Sequence, residues 1–383
     1  SGIIAQGPEV SKFENEFAKM CGVKYAIATN NGTTSGHLAM LANGIGQGDE
    51  VITTPFTFFA TAGSIHRVGA KPVFVDIDPE TYNLDVSQIE SKITENTKAI
   101  MPVHLFGQVA DMKHVLAIAK KHDLFVIEDA AQAIGAKQTI DGKTHMAGSM
   151  GSVGCFSFFP SKNLGGCGDG GIVTTNDDAL GEKIRLFRTH GAKERYYHDF
   201  VGGNFRLDPI QAAVLCIKLP LLNDQHNGRR KNAKYYNEQL KTVKTPLEKD
   251  GNWMIYNQYT VRTPKRELLI EELNKQNIGN AIYYPLPLHL QKCFEYLGYK
   301  EGDFPEAEKA AKEVVSLPVS TIVNYATKIY GGDEQTAVRQ FITELSGEQP
   351  GDNNVPPDTA TQGGMLAQEP DTSEVDAIDQ GLV

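Results

Sequence analysis

Residues 99–132 read AIMPVHLFGQVADMKHVLAIAKKHDLFVIEDAAQ and hold two apolar runs on either side of an amphipathic segment. The runs Ala99–His104 and Phe125–Glu128 are predicted strands, because they are short and rich in apolar and β-branched residues. Asp111–His122 is a predicted helix that starts at an acidic N-cap residue. This order of strand, helix and strand is typical of a mostly parallel sheet covered by helices.

The same alternation extends in both directions, from Val10 to about Ser320. Helices are predicted over Pro8–Met20 and Asp177–His190. Five more runs have the length and composition of strands: Tyr25–Thr29, Glu50–Thr53, Pro72–Ile77, Cys155–Phe159 and Gly171–Thr174. We therefore predict an α/β protein whose large domain holds a mostly parallel seven-stranded sheet flanked by helices.

Changes in pattern along the chain predict the domain boundaries. The large domain is predicted over residues 1–195, and a helical segment over residues 196–245, interrupted at Pro220, links it to a second domain. This smaller α+β C-terminal domain is predicted over residues 246–346, with strands Tyr256–Arg262 and Ile278–Tyr284 around helix Arg266–Gln276. Residues 347–383 lack apolar periodicity and are predicted to be a disordered acidic tail.

Charge and cysteine content exclude several classes of protein. The net charge is −10, but eight acidic residues and no Lys or Arg lie from Gly347 onward, so residues 1–346 carry 39 acidic and 37 basic side chains. Without a basic stripe, nucleic acid is not an expected partner. No stretch reaches the ~20 apolar residues of a membrane helix. The five dispersed cysteines predict neither a disulfide framework nor a metal site, and they fit a cytoplasmic protein.

Polar and aromatic clusters follow four of the predicted strands. In open parallel sheets, ligands bind at the carboxyl ends of the strands, so these clusters are expected to line one crevice. They are Asn30–Thr34, Pro55–Phe58, Glu128–Gln132 and Ser157–Lys162.

The cluster after the first strand turns into a helix through Gly32, Thr33 and Thr34. Free backbone N–H groups at a helix N-terminus attract anions, so this turn is a candidate phosphate cradle. The alternative is a plain N-cap, since Asn and Thr cap helices routinely.

Lys162 follows a buried-looking strand and precedes the glycine-rich turn Leu164–Gly171. Partial desolvation there would lower the pKa of its amine and make it nucleophilic, whereas the alternative is an ordinary exposed lysine. The glycines match G-x-G-x-x-G, but a strand rather than a helix follows, which argues against dinucleotide binding.

Asp129 ends an apolar strand, where a carboxylate needs a cationic partner. A protonated pyridine nitrogen is such a partner, and the alternative is a capping or salt-bridged Asp. Phe58 can stack on a planar ring or simply pack in the core.

These motifs in this order resemble the DegT/StrS family of sugar aminotransferases over about residues 5–320. The resemblance implies a fold-type-I enzyme dependent on pyridoxal phosphate (PLP), and a homodimer with active sites shared between subunits. The motifs are Gly7-Pro8-Glu9, Asn31-Gly32-Thr33, Glu128-Asp129-Ala130-Ala131-Gln132, Phe156-Ser157-Phe158-Phe159-Pro160-Ser161-Lys162-Asn163, Gly168-Asp169-Gly170-Gly171 and Asn204-Phe205-Arg206-Leu207-Asp208.

The resemblance also implies roles for individual residues. Lys162 would form the internal aldimine, and Asp129 would pair with the pyridine nitrogen. Gln132 would lie near the ring hydroxyl and Phe58 would stack on the ring. Thr33, Thr34 and Ser157 would form the phosphate cradle. Asn204 and Arg206 would reach the active site of the partner subunit.

Tyr284 and His289 lie in a segment that resembles the sugar-nucleotide pocket of the family. For His289 the alternative is a histidine satisfied within the protein.

The implied activity is transfer of an amino group from glutamate, through pyridoxamine phosphate, to the ketone of a nucleotide-linked keto sugar. Lys162 would shuttle the proton. A cyclitol or another small biosynthetic ketone remains an alternative acceptor. A PLP-dependent sugar dehydratase is a second possible function, which Lys162 disfavours because such relatives carry histidine there. A third is a non-catalytic binding or regulatory protein on the same fold.

Overall fold

One central sheet of seven strands organises the computed structural model, which describes residues 6–319. Strand β9 (Gly171–Thr175) runs antiparallel to its neighbours β1 (Tyr25–Thr29) and β8 (Val153–Ser157). The other neighbouring pairs of strands are parallel. This arrangement confirms the predicted mostly parallel seven-stranded sheet. In spatial order the strands are β1 (Tyr25–Thr29), β9 (Gly171–Thr175), β8 (Val153–Ser157), β5 (Phe125–Asp129), β4 (Thr97–Ile100), β2 (Glu50–Thr53) and β3 (Lys71–Phe74).

Local sequence signals set the ends of several helices. Pro8 begins α1, which ends before Gly22 in the left-handed conformation at φ +69°. Asp111 and Asp177 accept backbone hydrogen bonds at the starts of α4 and α5. The helices are α1 (Pro8–Cys21), α2 (Gly32–Ala42), α3 (Ala60–Arg67), α4 (Met112–His122), α5 (Asp178–Arg188), α6 (Pro209–Lys218), α7 (Leu222–Gln239), α8 (Arg266–Lys275) and α9 (Pro305–Glu313).

The interruption predicted at Pro220 is present, because a short 3₁₀ turn, Leu219–Leu221, separates α6 from α7. None of the helices within residues 6–319 is long and apolar enough to cross a membrane. All described residues belong to one compact unit, so the boundaries at residues 195 and 245 stay predictions. The change of pattern predicted after Ser320 and the disordered tail predicted over residues 347–383 lie outside the described residues.

The smaller strands differ from the sequence prediction. Residues 278–284 form no strand; only Ala281 makes a bridge, to Ser316, because Gly279 and Asn280 disfavour an extended ladder. The partner of β13 is instead an unpredicted strand, β14. The remaining strands are β6 (Lys137–Ile140), β7 (Lys143–Met146), β10 (Ala192–Glu194), β11 (Tyr197–His198), β12 (Asn252–Trp253), β13 (Tyr259–Arg262) and β14 (Val314–Leu317).

A buried carboxylate joins the first half of the sheet to the last described helix. Asp76 follows β3, is 4% exposed, and accepts hydrogen bonds from the backbone N–H groups of Glu306 and Ala307, each at 2.9 Å. These N–H groups belong to the first turn of α9, which has no intrahelical partners for them. Asp76 therefore caps α9 from 230 residues away in sequence.

His226 on α7 is a buried imidazole without a hydrogen-bond partner among the described residues. Its ring lies against Trp253, and burial, together with Arg229 and Lys137, lowers its pKa to about 4. A histidine whose pKa is lowered in the folded state opposes folding once the unfolded chain binds its proton. The unfolding free energy is therefore not reduced by His226 above pH 6.5, where the imidazole is neutral in both states. It decreases as the pH falls from 6.5 toward 4, because only the unfolded chain binds the proton.

We expect wild-type protein to lose roughly 2 kcal/mol more unfolding free energy between pH 7 and pH 5 than His226→Leu does. Urea unfolding at the two pH values measures this difference. His145→Leu, on the half-exposed strand β7, is the matched control. It should lose as much unfolding free energy between pH 7 and pH 5 as wild type does. If wild type and His226→Leu lose the same unfolding free energy between pH 7 and pH 5, His226 does not govern the acid sensitivity of the protein.

Candidate active site

The four polar and aromatic clusters meet at one edge of the sheet. Asp129 and Ser157 end the neighbouring parallel strands β5 and β8. Asn31 lies between β1 and α2, and the segment after β2 contacts Asp129 through Thr61. The residues predicted to line a crevice therefore lie together at the carboxyl ends of the strands.

The N-terminus of α2 lies against Ser157. Asn31 Oδ1 accepts a hydrogen bond from the backbone N–H of Thr34 at 2.8 Å, so Asn31 is an N-cap, as the alternative interpretation of this cluster holds. A Cβ added to Gly32 would lie 2.7 Å from Ser157 Cβ and 3.2 Å from Ser157 Oγ. The absence of a side chain at Gly32 thus brings the hydroxyl of Ser157 up to the first turn of α2. Backbone N–H groups and hydroxyls at such a helix end suit a phosphate.

Gly32→Ala is expected to force Ser157 and α2 apart. Overpacking of this kind costs about 1–3 kcal/mol of unfolding free energy, and we expect it to weaken binding of a phosphate-bearing ligand as well. The matched control is Gly228→Ala on α7, where an added Cβ meets nothing within 4 Å and alanine should stabilise by roughly 1 kcal/mol. Urea unfolding and phosphate-ligand titration measure both effects, and equal behaviour of the two variants would contradict the expectation.

A hydroxyl chain holds the Asp129 carboxylate. Thr61 Oγ1 donates to Asp129 Oδ2 at 2.7 Å, and the backbone N–H of Ala131 donates to Oδ1 at 3.2 Å. Thr57 and Thr61 hydroxyls lie 3.0 Å apart, and because Thr61 gives its proton to Asp129, Thr57 must donate to Thr61. The sequence interpretation missed Thr61. Its signal was the four-residue spacing of two threonines, Thr57 and Thr61, on either side of Phe58 and the start of α3.

Lys162 lies five residues beyond Ser157, in a tight turn. Its backbone N–H donates to Phe159 O at 2.8 Å, and Gly166 N donates to Phe158 O at 2.8 Å, so the turn folds back onto the end of β8. Lys162 is half-buried, in contrast to the exposed lysine of the alternative interpretation. Lys162 thus follows β8, which is the neighbour of the strand that Asp129 ends.

Gln132 connects the crevice to Tyr284. Its Oε1 accepts from the backbone N–H of Phe106 at 2.8 Å, and its Nε2 donates to the hydroxyl of Tyr284 at 2.8 Å. The Tyr284 ring centroid lies 6.2 Å from that of Phe58, whose side chain is 57% exposed. Phe58 therefore does not pack in the core and is available to stack on a planar ring.

His289 is placed differently from Tyr284. It is 1% exposed, its Nε2 lies 3.1 Å from Glu308 Oε1, and its ring packs on Phe304. Burial lowers the pKa of this imidazole below its usual value, although Glu308 opposes the shift. The geometry agrees with the alternative of a histidine held within the protein, although its buried Nδ1 has no hydrogen-bond partner among the described residues.

The segment containing Asn204 and Arg206 lies beside the loop before α2. Phe205 O accepts a hydrogen bond from the backbone N–H of Asn30 at 3.0 Å. Asn204 is exposed and Arg206 is half-buried. Both residues therefore lie near the site on the protein surface.

The side chains at this edge fit PLP. A half-buried lysine amine suits its aldehyde, a carboxylate oriented by Thr61 suits its pyridine nitrogen, and Gly32 with Ser157 at a helix N-terminus suits its phosphate. Within residues 6–319, no cluster of three or more His, Cys, Asp or Glu side chains is arranged to hold a metal.

Comparison with known proteins agrees with this geometry. Residues 1–328 match the family model described as the DegT/DnrJ/EryC1/StrS aminotransferase family. The chain is 55% identical over 318 residues to a pleiotropic regulatory protein of Geobacillus stearothermophilus, covering 82% of this chain and 84% of that protein. It is 44% identical over 323 residues to UDP-2-acetamido-2-deoxy-3-oxo-D-glucuronate aminotransferase of Pseudomonas aeruginosa, covering 84% and 88%.

A similar solved structure is that of NtdA from Bacillus subtilis with its cofactor PMP bound. The TM-score is 0.78 at 30% identity, and the match covers 90% of this chain and 78% of that one.

Proposed function

Since the chain belongs to the DegT/DnrJ/EryC1/StrS aminotransferase family and is a PLP-dependent aminotransferase, we propose that it transfers an amino group from glutamate to the ketone of a nucleotide-linked keto sugar. The observation that carries this proposal is the placement of Lys162 and Asp129 after adjacent strands, beside the Gly32–Ser157 contact. A cytoplasmic location fits the five cysteines, none of which forms a disulfide.

Each group at the sheet edge has a part in holding the cofactor. Lys162 Nζ would hold its aldehyde carbon, and the Asp129 carboxylate would keep its pyridine nitrogen protonated. Gln132 Nε2, on the side of the amide that also meets Tyr284, would donate to its ring oxygen. Phe58 would cover one ring face.

The phosphate would lie at the N-terminus of α2. Thr33, Thr34 and Ser157 supply hydroxyl groups there, and the first turn of the helix supplies backbone N–H groups. Gly32 allows these groups to surround the phosphate closely because its added Cβ would occupy space next to Ser157.

Bound PLP supplies an electron sink that stabilises negative charge at the substrate carbon next to nitrogen. Lys162 Nζ would take the proton from the donor's α-carbon and deliver it to the former aldehyde carbon of the cofactor within the first half of the transfer. The second half would run in reverse, so that Lys162 would move a proton from that cofactor carbon to the sugar carbon that receives the amino group. Thr61 fixes the direction in which the Asp129 carboxylate points. The rings of Tyr284 and Phe58, whose centroids are 6.2 Å apart, would flank the bound cofactor.

The acceptor is inferred from a relative and from the wall of the crevice. The Pseudomonas aeruginosa relative is named for a UDP-linked 3-oxo sugar. The contacts of Tyr284 with Gln132 and Phe58 support the proposal that it meets a sugar bound next to the cofactor. Tyr284, rather than the buried His289, is therefore the residue that we propose for substrate contact.

Absorption spectroscopy tests the proposal directly. The protein is loaded with PLP and its visible spectrum is recorded before and after glutamate, with Lys162→Ala in parallel. A visible band that requires Lys162 and bleaches with glutamate would support the first half of the transfer. Recovery of the band on adding a UDP-linked or dTDP-linked 3-keto sugar would support the second half. No Lys162-dependent band in folded protein would overturn the catalytic proposal.

A homodimer with shared active sites is the proposed assembly. Four large apolar side chains between residues 196 and 201 are at least 40% exposed, and exposed apolar groups of this kind mark interaction surfaces. They precede Asn204 and Arg206, which we propose to reach the site of the partner subunit. The four residues are Tyr196, Tyr197, Phe200 and Val201.

Mixed dimers of Lys162→Ala and Asn204→Ala subunits are expected to recover activity that each variant lacks. One site of a mixed dimer receives both intact residues, so mixed dimers purified through two affinity tags should show about half of wild-type activity. Co-expression with two affinity tags and a coupled transamination assay measure this. A mixture no more active than the two variants assayed separately would argue against sites shared through Asn204.

A regulatory role is the second candidate function, because the Geobacillus stearothermophilus relative is named as a pleiotropic regulatory protein. The two functions differ in the spectrum, since a purely regulatory protein has no need of a glutamate-bleached band. A dehydratase function is disfavoured by Lys162, because a lysine at this position suits amine transfer.

A further inference from the structure

A short segment of the chain, residues 255–257, pairs with the turn that holds Gln132. Ile255 N donates to Gly107 O at 3.0 Å, and Asn257 N donates to Phe106 O at 2.9 Å. Phe106 N in turn donates to the side chain of Gln132. The backbone of residues 255–257 therefore fixes the position of Gln132 through Phe106.

The side chain of Asn257 reaches the neighbour of Lys162. Asn257 Nδ2 donates to Asn163 Oδ1 at 2.7 Å, and Asn163 Nδ2 donates to Ile255 O at 3.3 Å. Asn163 is 5% exposed and Asn257 is 8% exposed. The orientation of both amides is set, because Ile255 O can only accept and so requires the NH₂ group of Asn163. The Asn163 oxygen must then face the NH₂ group of Asn257.

Two further contacts hold residues 255–257 in place. Gly107 adopts φ +95°, and an added Cβ would lie 2.8 Å from Asn257 N, so the close approach requires glycine there. Arg229 donates to Tyr256 O at 2.9 Å and to Asn257 O at 3.3 Å. Burial lowers the pKa of Arg229 to about 10, which leaves the guanidinium charged at neutral pH.

The buried side chain of Asn257 lowers the unfolding free energy in one respect. Its Oδ1 is buried and has no hydrogen-bond partner among the described residues. A buried acceptor without a partner is unfavourable, and an apolar residue of similar size would avoid that penalty. The bond that Asn257 makes to Asn163, next to Lys162, is the contact that an apolar residue would lose.

We propose that the Asn163–Asn257 amide pair is a positioning device that fixes the turn carrying Lys162 relative to Gln132. The inference rests on the proposed role of Lys162 as the residue that holds the cofactor. Residues 255–257 contact both Asn163, next to Lys162, and Phe106, which binds Gln132. A shift of the amide pair would therefore move Nζ of Lys162, although neither amide contacts cofactor or substrate directly.

A set of four variants tests the proposal. Asn163→Ala, Asn257→Ala and the double variant remove the pair, and Asn232→Ala is the matched control. Asn232 is also 8% exposed, and it donates its side-chain amide to Val319 O at 2.8 Å. The measurements are thermal unfolding of the apoprotein, the dissociation constant of PLP from its visible band, and the pH midpoint of that band.

We expect each single change in the pair to weaken PLP binding about tenfold and to shift the pH midpoint of the band. The double variant should bind PLP no more weakly than Asn163→Ala, because Asn163→Ala already removes the bond to Asn257 together with the bond to Ile255 O. Asn232→Ala should lower the thermal midpoint by a similar amount and leave both PLP measurements at wild-type values.

If Asn257→Ala and Asn163→Ala lower only the thermal midpoint, as Asn232→Ala does, the pair is merely structural and the proposal is overturned. Additive effects of the two changes on PLP affinity would overturn it as well. Asn257→Ser replaces Asn257→Ala if the latter does not fold. Failure of wild-type protein to form a Lys162-dependent band would instead refute the proposed function, so the two failures are distinguishable.

Discussion

Lys162→Ala is expected to lower the rate of amino transfer by at least about 10³-fold, because proton transfer by a positioned side chain alone contributes roughly 10²–10⁴-fold. The substitution removes the group that we propose to hold the cofactor covalently and to move the proton. Single-turnover mixing of the PLP-loaded variant with glutamate, followed by absorption, measures the loss.

Lys162→Arg separates the two parts of this role. A guanidinium stays protonated, so it keeps the positive charge of the site but cannot accept the α-proton. We expect it to be as slow as Lys162→Ala, and added methylamine should partly restore the alanine variant only. Lys143→Ala, an exposed change on β7, serves as the control. Near-normal rates for Lys162→Arg would contradict the assignment of Lys162 as base.

Asp129→Asn is expected to reduce the transfer rate by roughly 10²-fold or more, because a neutral amide no longer favours a protonated pyridine nitrogen. The substitution is close to isosteric, and its amide oxygen can still accept from Thr61. Its effect should therefore be electrostatic and should leave the unfolding free energy within about 1 kcal/mol of wild type. Glutamate half-reaction rates and urea unfolding measure the two quantities.

Thr61→Val provides the graded comparison for Asp129. It removes the hydrogen bond at 2.7 Å to Asp129 Oδ2 and keeps the charge. We expect a loss of about tenfold, the effect of one hydrogen bond to a charged group. A loss in Thr61→Val larger than that in Asp129→Asn would show that orientation, and not charge, dominates at this carboxylate.

The sheet could be predicted from the sequence because each strand is short, apolar and bounded by polar turns. Tyr25–Thr29 and Glu50–Thr53 have the predicted bounds, and β8 starts two residues earlier than predicted. The small strands were harder, since residues 278–284 are apolar enough for a strand but depend on tertiary partners for pairing. β14 is one such partner, and it lies about 30 residues further along the chain.

At the site, the residues that follow strands could be predicted, and the residues that orient them could not. Asp129 and Lys162 follow apolar strands, so their placement at one edge follows from sheet topology. Thr61, Tyr284 and Asn257 act through contacts 68 to 152 residues apart in sequence, and no local pattern encodes such pairs. His289 shows the converse, because the resemblance of its segment implied substrate contact, whereas the structure buries it with Nε2 beside Glu308.

The capping of α9 by Asp76 has a consequence for the order in which the protein can be completed during synthesis. A ribosome adds roughly 5–20 residues per second, so the 230 residues that separate Asp76 from Glu306 take roughly 10–50 s to appear. Throughout that interval the Asp76 carboxylate, just after β3, lacks the two N–H groups whose hydrogen bonds offset the free-energy cost of burying it. Strand β3 can therefore pair with β2 early in synthesis, but the capped and buried state of Asp76 waits for residues beyond 305.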